Sequence, residues 1–193
     1  DAWEVERPSL GRLRRQISRL LLVAGGTVGA AVSGHARAQV TDVYWNAASN
    51  GLWSSAANWS SLVQFPDNNT PAGATYRVFI DVGHGGPGYT VTLDTPVTID
   101  DLTLNSSAAT LSIERALTLT GTLTRNFGSV RLSGGSINGG VINLGSGGSV
   151  TVVSNTANAI TGSTVNGSLV LSTSNTSLAR ALTLGEGTTI NGD

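Results

Sequence analysis

The sequence contains no cysteine and no lysine, and charged residues occupy only 12% of its 193 positions. Without cysteine, neither disulfides nor thiolate metal sites can stabilise the fold. All 11 basic residues are arginines and six precede position 39, so that 5 arginines oppose 9 acidic residues from Gln39 onward. A mildly acidic chain without a basic cluster binds nucleic acid poorly, and we expect no nucleic-acid partner.

Aromatic residues are also scarce, at 5%, whereas Gly, Ser, Thr, Asn and Val are abundant. Little charge combined with many β-branched and turn-forming residues favours strands and tight turns over amphipathic helices. A regular alternation of Val, Leu and Ile argues against disorder. The length suffices for one domain with its own core, so the composition predicts an all-β domain.

The N-terminal region has the three parts of a secretion signal. Four arginines between positions 12 and 19 precede an apolar stretch, Leu20 to Val32, which is followed by the small-x-small site Ala36-Arg37-Ala38. We predict that residues 1–38 are a signal peptide helix with an N-terminal extension, cleaved after Ala38. A transmembrane or core helix is the alternative, but thirteen residues span only about 20 Å of a hydrocarbon core of about 30 Å.

Short apolar alternations separated by Gly, Asn or Ser turns follow one another from Tyr89 onward. The segment "SIERALTL" at 112–119 recurs as "SLARALTL" at 177–184, an offset of 65 that corresponds to three units of about 22 residues. This recurrence predicts β-solenoid coils over 90–193, with an antiparallel sandwich as the alternative. The chain starts at Asp1 and stops within the repeat, so we expect it to be part of a longer protein whose further coils or anchor lie elsewhere.

Alternation also predicts which side chains of the coils point inward. The predicted inward residues are Val97, Ile99, Leu102, Leu104, Leu111, Ile113, Leu117, Leu119, Val130, Leu132, Ile142, Leu144, Val150, Val152, Leu169, Leu171, Leu182 and Leu184. In "LTLTGTLT", a regular strand would place Thr118, Thr120, Thr122 and Thr124 together on one outward face.

Three of the four tryptophans lie close together in residues 39–89, before the first regular coil. Because the end of a solenoid exposes apolar side chains and strand edges, we predict that this Trp-rich segment is an N-terminal cap. Its bulky residues are Tyr44, Trp45, Trp53, Trp59, Phe65, Tyr76 and Phe79. The alternative is a glycan-binding platform, in which exposed Trp45, Trp53 and Trp59 stack on sugars while Asn58, Asn46 or Asn50 binds hydroxyl groups.

A family resemblance adds to this interpretation. The segments "YWNAASNGLWSSAANWS", "VTLDTPVTIDDLTL" and "LSGGSINGGVINL" resemble bacterial surface-exported β-helix proteins. The nearest are autotransporter passenger domains with their associated β-strand repeats, and PEP-CTERM-type exported proteins, which carry a C-terminal sorting signal. The resemblance covers about residues 41–193. It implies a right-handed parallel β-helix outside the cytoplasm, secreted or associated with the outer membrane.

Groups capable of catalysis are few in the predicted exported part. His84 is its one histidine, and the adjacent Asp100 and Asp101 would face opposite sides of a strand. We therefore predict no catalytic, cofactor-binding or metal-binding residue. The predicted function is a structural or adhesive surface protein whose partners are extracellular glycans or neighbouring cell surfaces. It would contact a membrane only through the signal peptide or a C-terminal anchor. The alternative is the N-terminal part of a carbohydrate-active β-helix enzyme or a glycan-binding module.

Overall fold

A computed structural model describes residues 39–153, 155–171 and 182–192, and these residues form an all-β structure with one short 3-10 turn at Ala56–Asn58. The predicted signal peptide lies outside the described residues. The strands in chain order are β1 Gln39–Tyr44, β2 Gly51–Leu52, β3 Ala74–Ile80, β4 Tyr89–Leu93, β5 Val97–Ile99, β6 Asp101–Leu104, β7 Ala109–Ile113, β8 Ala116–Leu119, β9 Thr122–Arg125, β10 Ser129–Leu132, β11 Ser136–Asn138, β12 Val141–Asn143, β13 Ser149–Val152, β14 Ala159–Thr161, β15 Thr164–Asn166, β16 Ser168–Leu171, β17 Thr183–Leu184 and β18 Thr189–Asn191.

The strands form three parallel sheets that run along the length of the molecule. The seven-stranded sheet has the order β1-β3-β6-β9-β12-β15-β18, the six-stranded sheet β16-β13-β10-β7-β4-β2, and the five-stranded sheet β17-β14-β11-β8-β5. Each regular turn of the chain contributes one strand to each sheet, which gives a β-solenoid of about 5 turns. The solenoid prediction is therefore confirmed, and the sandwich alternative fails because its strands would pair antiparallel.

Tight corners bring each coil back onto the previous one. Between β8 and β9 the corner falls at Thr120 and Gly121, where the backbone N–H of Gly121 donates to the carbonyl of Asp100 at 2.9 Å. A Cβ atom at Gly121 would lie 2.8 Å from that same carbonyl oxygen. Glycine is therefore required at this corner because the backbones of successive coils approach too closely for a side chain.

Aliphatic side chains stack in columns along the interior. One column of the seven-stranded sheet contains Val78, Leu102, Leu123, Ile142 and Val165, all of them fully buried. From β3 and β4 onward, the stacked residues are 19 to 25 positions apart, as in Leu111–Val130 and Val165–Ile190, close to the predicted unit of about 22.

The sequence recurrence is out of register with this stacking. Leu117 stacks through Ile137 and Ile160 on Leu184, which is 67 residues later rather than 65. A shift of two residues preserves the inward or outward direction of each side chain, so the recurrence still predicted alternation correctly.

The predicted core is confirmed from Val97 to Val152 and needs correction beyond it. Leu171 and Leu184 are each 49% exposed because they belong to β16 and β17, on which no described coil stacks. Leu169 and Leu182 are partly buried. The prediction omitted several buried residues: Val43, Val78, Ile80, Tyr89, Val91, Leu93, Ala109, Leu123, Ile137, Ile160 and Val165.

Two other expectations differ from the structure. The corner at Thr120 puts Thr118 in the five-stranded sheet and Thr122 and Thr124 in the seven-stranded sheet, so the four threonines do not share a face. Parallel stacking also begins before residue 90, because β1, β2 and β3 of the Trp-rich segment already belong to the sheets.

The columnar core predicts a sharp contrast between neighbouring positions of β9. Leu123→Ala removes a fully buried side chain and should lower the free energy of unfolding by about 2 to 5 kcal/mol. Thr124→Ala, on the outward side of the same strand, should cost no more than about 1 kcal/mol. Urea denaturation of both variants checks this, and equal losses would contradict the assigned alternation.

Candidate functional site

The three clustered tryptophans lie inside the N-terminal end of the core. Trp53 and Trp59 are 0% exposed and Trp45 is 2% exposed. Their rings pack edge to face, with centroids 5.0 Å apart for Trp45–Trp59 and 4.6 Å apart for Trp53–Trp59. This geometry suits the quadrupoles of aromatic rings and buries a large apolar area.

Hydrogen bonds fix two of the indoles in place. Trp53 donates from Nε1 to the carbonyl of Pro66 at 3.1 Å, and Trp59 donates from Nε1 to the carbonyl of Trp53 at 2.8 Å. The indole N–H of Trp45 is buried without a partner among the described residues. The Trp45 ring packs against Gly51, where a Cβ atom would lie 2.9 Å from Cζ2.

A glycan platform built from these rings is therefore wrong as a prediction. Trp45, Trp53 and Trp59 present no exposed face on which a pyranose could stack. The amide of Asn58 donates to the carbonyl of Leu52, and that of Asn46 donates to the carbonyl of Trp59. Asn50 accepts a hydrogen bond from the backbone of Thr90 at 2.7 Å. These asparagines bind the backbone around the tryptophans rather than lining an open site.

The same segment hydrogen-bonds the first strands of the sheets. Ser60 donates from its backbone to the carbonyl of Tyr44 at the end of β1, and its hydroxyl accepts the backbone N–H of Tyr44. Among the described strands, β5 is the first of the five-stranded sheet. The Thr98 N–H of this strand donates to the Asp67 carboxylate, and the Thr98 carbonyl accepts from the Asn68 backbone. Side chains and irregular backbone thus satisfy edge groups that another strand would otherwise pair.

Two carboxylates connect this segment to the first full coil. Asp94 accepts hydrogen bonds from the backbone and hydroxyl of Ser54, at 3.0 and 2.6 Å. Burial raises the pKa of Asp94, but these hydrogen bonds to the charged form outweigh it and hold the pKa below its ordinary value. Asp100 accepts from Asn68 and Thr120, and its pKa is lowered in the same way despite the opposing effect of burial.

Residues considered for catalysis are dispersed. His84 is exposed and packs its ring edge-to-face on Phe127, with centroids 5.2 Å apart. Asp100 accepts a hydrogen bond from the Thr120 hydroxyl, and Asp101 accepts one from the backbone N–H of Thr122. Among the described residues no three His, Cys, Asp or Glu side chains are grouped so as to hold a metal ion. An open depression of about 210 Å³ beside β5 and β8 contains one carboxylate, Asp67.

The outward faces of the coils carry columns of short polar side chains. On the six-stranded sheet, one column consists of Thr90, Thr110, Ser129, Ser149 and Ser168 in register. On the seven-stranded sheet an amide ladder forms, in which Asn191 donates to Asn166 at 2.8 Å and Asn166 donates to Asn143 at 2.6 Å. The result is outer surfaces rich in hydroxyl and amide groups and with few charged side chains.

The first two strands of the seven-stranded sheet carry a different outer surface, which the sequence interpretation missed. We call Asp42, Tyr44, Arg77 and Phe79 the aromatic–ionic patch. Tyr44 and Phe79 stack with centroids 4.9 Å apart, and Tyr44 is 41% exposed. The alternation of inward and outward side chains predicts this surface. Val43 and Val78 point inward, so the residues on either side of each must point outward. The sequence prediction places Tyr44 and Phe79 among the bulky residues of the cap instead.

No family model, no curated protein and no solved structure matches the chain. Within the part of the chain that the structure describes, no helix has the length and apolar character needed to cross a membrane.

Burial of the tryptophans predicts a large loss of stability on truncation. Trp53→Ala should lower the free energy of unfolding by about 3 to 5 kcal/mol, because it leaves a cavity and exposes the facing ring of Trp59. Leu52→Ala is the matched control, since Leu52 is 50% exposed in the adjacent position. Thermal and urea unfolding would measure both, and near-native stability of Trp53→Ala would refute the assigned packing.

The lowered pKa values of Asp94 and Asp100 predict acid sensitivity. Because the folded state binds protons more weakly than the unfolded state, these carboxylates stabilise the fold fully above their ordinary pKa of 3.8. That contribution is lost as the pH falls through the lower folded pKa. Asp94→Asn should be less stable at about pH 6 but should lose less stability than the native chain on acidification to about pH 3. An unchanged pH dependence in this variant would contradict the assignment.

Proposed function

We propose that this chain is an exported bacterial surface or extracellular protein whose solenoid serves as a stalk and contact surface without catalysis. The observation that carries the proposal is the set of outward columns of Ser, Thr and Asn, which run in register over successive coils. Such faces are stable in water, nearly uncharged and regular over many strands. They suit a stalk or a contact surface better than a catalytic site, because acid–base catalysis needs titratable groups close together.

Export is supported by the N-terminal sequence and by the position of the first strand. Cleavage after Ala38 would leave Gln39, the first residue of β1, at the N-terminus and would retain every described strand. The fold also needs no cysteine, and parallel stacking gives each coil a hydrogen-bonded neighbour. A protein of this design keeps its structure outside the cell without a redox-sensitive bond.

The non-catalytic part of the proposal rests on the distribution of ionisable groups. Three carboxylates of the first coils, Asp94, Asp100 and Asp101, are hydrogen-bonded to neighbouring coils. Each therefore has an assigned structural role at a corner of the solenoid. A general acid–base pair would require two such groups facing one accessible point.

Export is tested by expressing the chain with a C-terminal epitope tag in a Gram-negative host. We expect the tag in the periplasm or medium, and N-terminal sequencing should begin at Gln39. The matched control is Ala38→Leu, whose larger side chain should block cleavage and leave a longer protein in the membrane fraction. Cytoplasmic retention of an uncleaved chain would reject export.

The absence of catalysis is tested on the same secreted protein. Incubation with soluble polysaccharides should release no reducing sugar or unsaturated product above the level of the Trp53→Ala variant. Product release that depends on the native chain would replace the structural role with an enzymatic one.

A further inference from the structure

The aromatic–ionic patch joins an accessible aromatic ring to an exposed ion pair. In the register of β1 and β3, Asp42 lies opposite Arg77 and Tyr44 lies opposite Phe79, so the four side chains occupy two adjacent outward columns. Arg77 donates from Nε to Oδ1 of Asp42 at 2.7 Å, and the side chains of Arg77 and Asp42 are 48% and 38% exposed. The Phe79 ring, on the adjacent strand, stacks on one face of the Tyr44 ring with an interplanar angle of 17°, so that a sugar can stack only on the opposite face of Tyr44.

Sugar recognition requires two kinds of group at one place. An aromatic ring stacks on the apolar C–H face of a pyranose, and planar charged or amide groups bind its hydroxyls. The Asp42 carboxylate can accept hydrogen bonds from sugar hydroxyls, and the Arg77 guanidinium can donate to them. The guanidinium has five N–H donors, and its hydrogen bond to Asp42 uses one of them. The buried tryptophans expose no ring face for stacking, whereas the ring of Tyr44 is accessible. We propose that the outer face of β1 and β3 binds a neutral glycan, with Tyr44 stacking on a sugar ring while Asp42 and Arg77 hydrogen-bond its hydroxyl groups.

The charge of the patch favours a neutral sugar over an acidic one. Arg77 lies between Asp42 on β1 and Asp101 on β6 in the same outward column. Two carboxylates thus flank one guanidinium, and the charge of Arg77 is already compensated. A uronic acid would bring a third carboxylate to this column and would be repelled.

The neighbouring column suggests that the ligand is an extended oligosaccharide. Beyond Tyr44 and Phe79, that column continues in register with Thr103, Thr124 and the Asn143 amide. From a sugar on the free face of Tyr44, further units can reach this column by passing over the outer edges of the Tyr44 and Phe79 rings, and each following strand, about 4.8 Å from the last, then offers another hydroxyl or amide group. Affinity should therefore rise with the number of sugar units.

This inference rests on the proposed contact function and names its partner class. The test uses the purified 193-residue chain and calorimetric titration with cellohexaose, chitohexaose and maltohexaose. Hexagalacturonate serves as the acidic control and the corresponding monosaccharides as length controls. We expect saturable binding of at least one neutral hexamer, weaker binding of its monomer, and the weakest binding of the acidic hexamer.

Variants then assign the site. Tyr44→Ala and Arg77→Ala should each weaken binding at least about tenfold, while Tyr44→Phe should retain it because stacking survives. The matched control is Thr164→Ala, an outward position of β15 in the same sheet, which should change affinity less than about twofold. Thermal melting verifies that each variant is folded, which is expected because Tyr44 is substantially exposed.

Three results would overturn the proposal: no saturable binding of any neutral hexamer at about millimolar concentration, equal effects of Tyr44→Ala and Thr164→Ala, or preference for hexagalacturonate. These outcomes are independent of the export experiment. A chain that is secreted and cleaved at Ala38 but binds no hexamer would retain the proposed contact function and lose only the glycan site. A chain that binds a neutral hexamer but stays in the cytoplasm would retain the glycan site and lose the proposed export.

Discussion

Parallel strands need hydrogen-bonding neighbours on both edges, and the rest of this structure follows from how that need is met. Inside the stack, the preceding and following coils supply the partners. At the start of the stack, side chains and irregular backbone supply them: Asn50 binds Thr90, Asp67 and Asn68 bind Thr98, and Ser60 binds Tyr44. Each contact occupies a group that an added strand would otherwise pair. The Trp-rich segment would therefore cap the solenoid in two ways: its hydrogen bonds replace those of a missing strand, and its buried rings cover the end of the core.

This arrangement also decides which aromatic side chains can meet a ligand. Chain alternation sends Val43 and Trp45 inward and Tyr44 outward, and it does the same on β3 with Val78 and Phe79. Inward rings bury apolar area at the end of the core, whereas outward rings remain in contact with solvent. Alternate residues of the same short strands therefore build the core and the outer surface.

The sequence predicted the fold well because alternation and repetition are local properties. A period of two identifies inward residues from Val97 to Val152 without knowledge of coil register. Register itself depends on corner lengths, which vary as different Gly, Asn and Ser turns are used, and the recurrence therefore missed the true stacking of Leu117 and Leu184 by two residues. The site could not be predicted in the same way. Asp42 and Arg77 are 35 positions apart, and only the pairing of β1 with β3 brings them together.

A short stretch of backbone links the aromatic–ionic patch to the buried tryptophans. Tyr44 directly precedes Trp45, and the antiparallel bridge between Trp45 and Trp59 positions Ser60 against both backbone groups of Tyr44. The orientation of the exposed ring thus depends on hydrogen bonds made by a segment whose own position is set by buried indoles. Preorganised rings lose little conformational entropy on binding. Under the proposed glycan binding, the hydrogen bonds between Ser60 and the Tyr44 backbone would reduce the conformational entropy that Tyr44 loses when a sugar stacks on it.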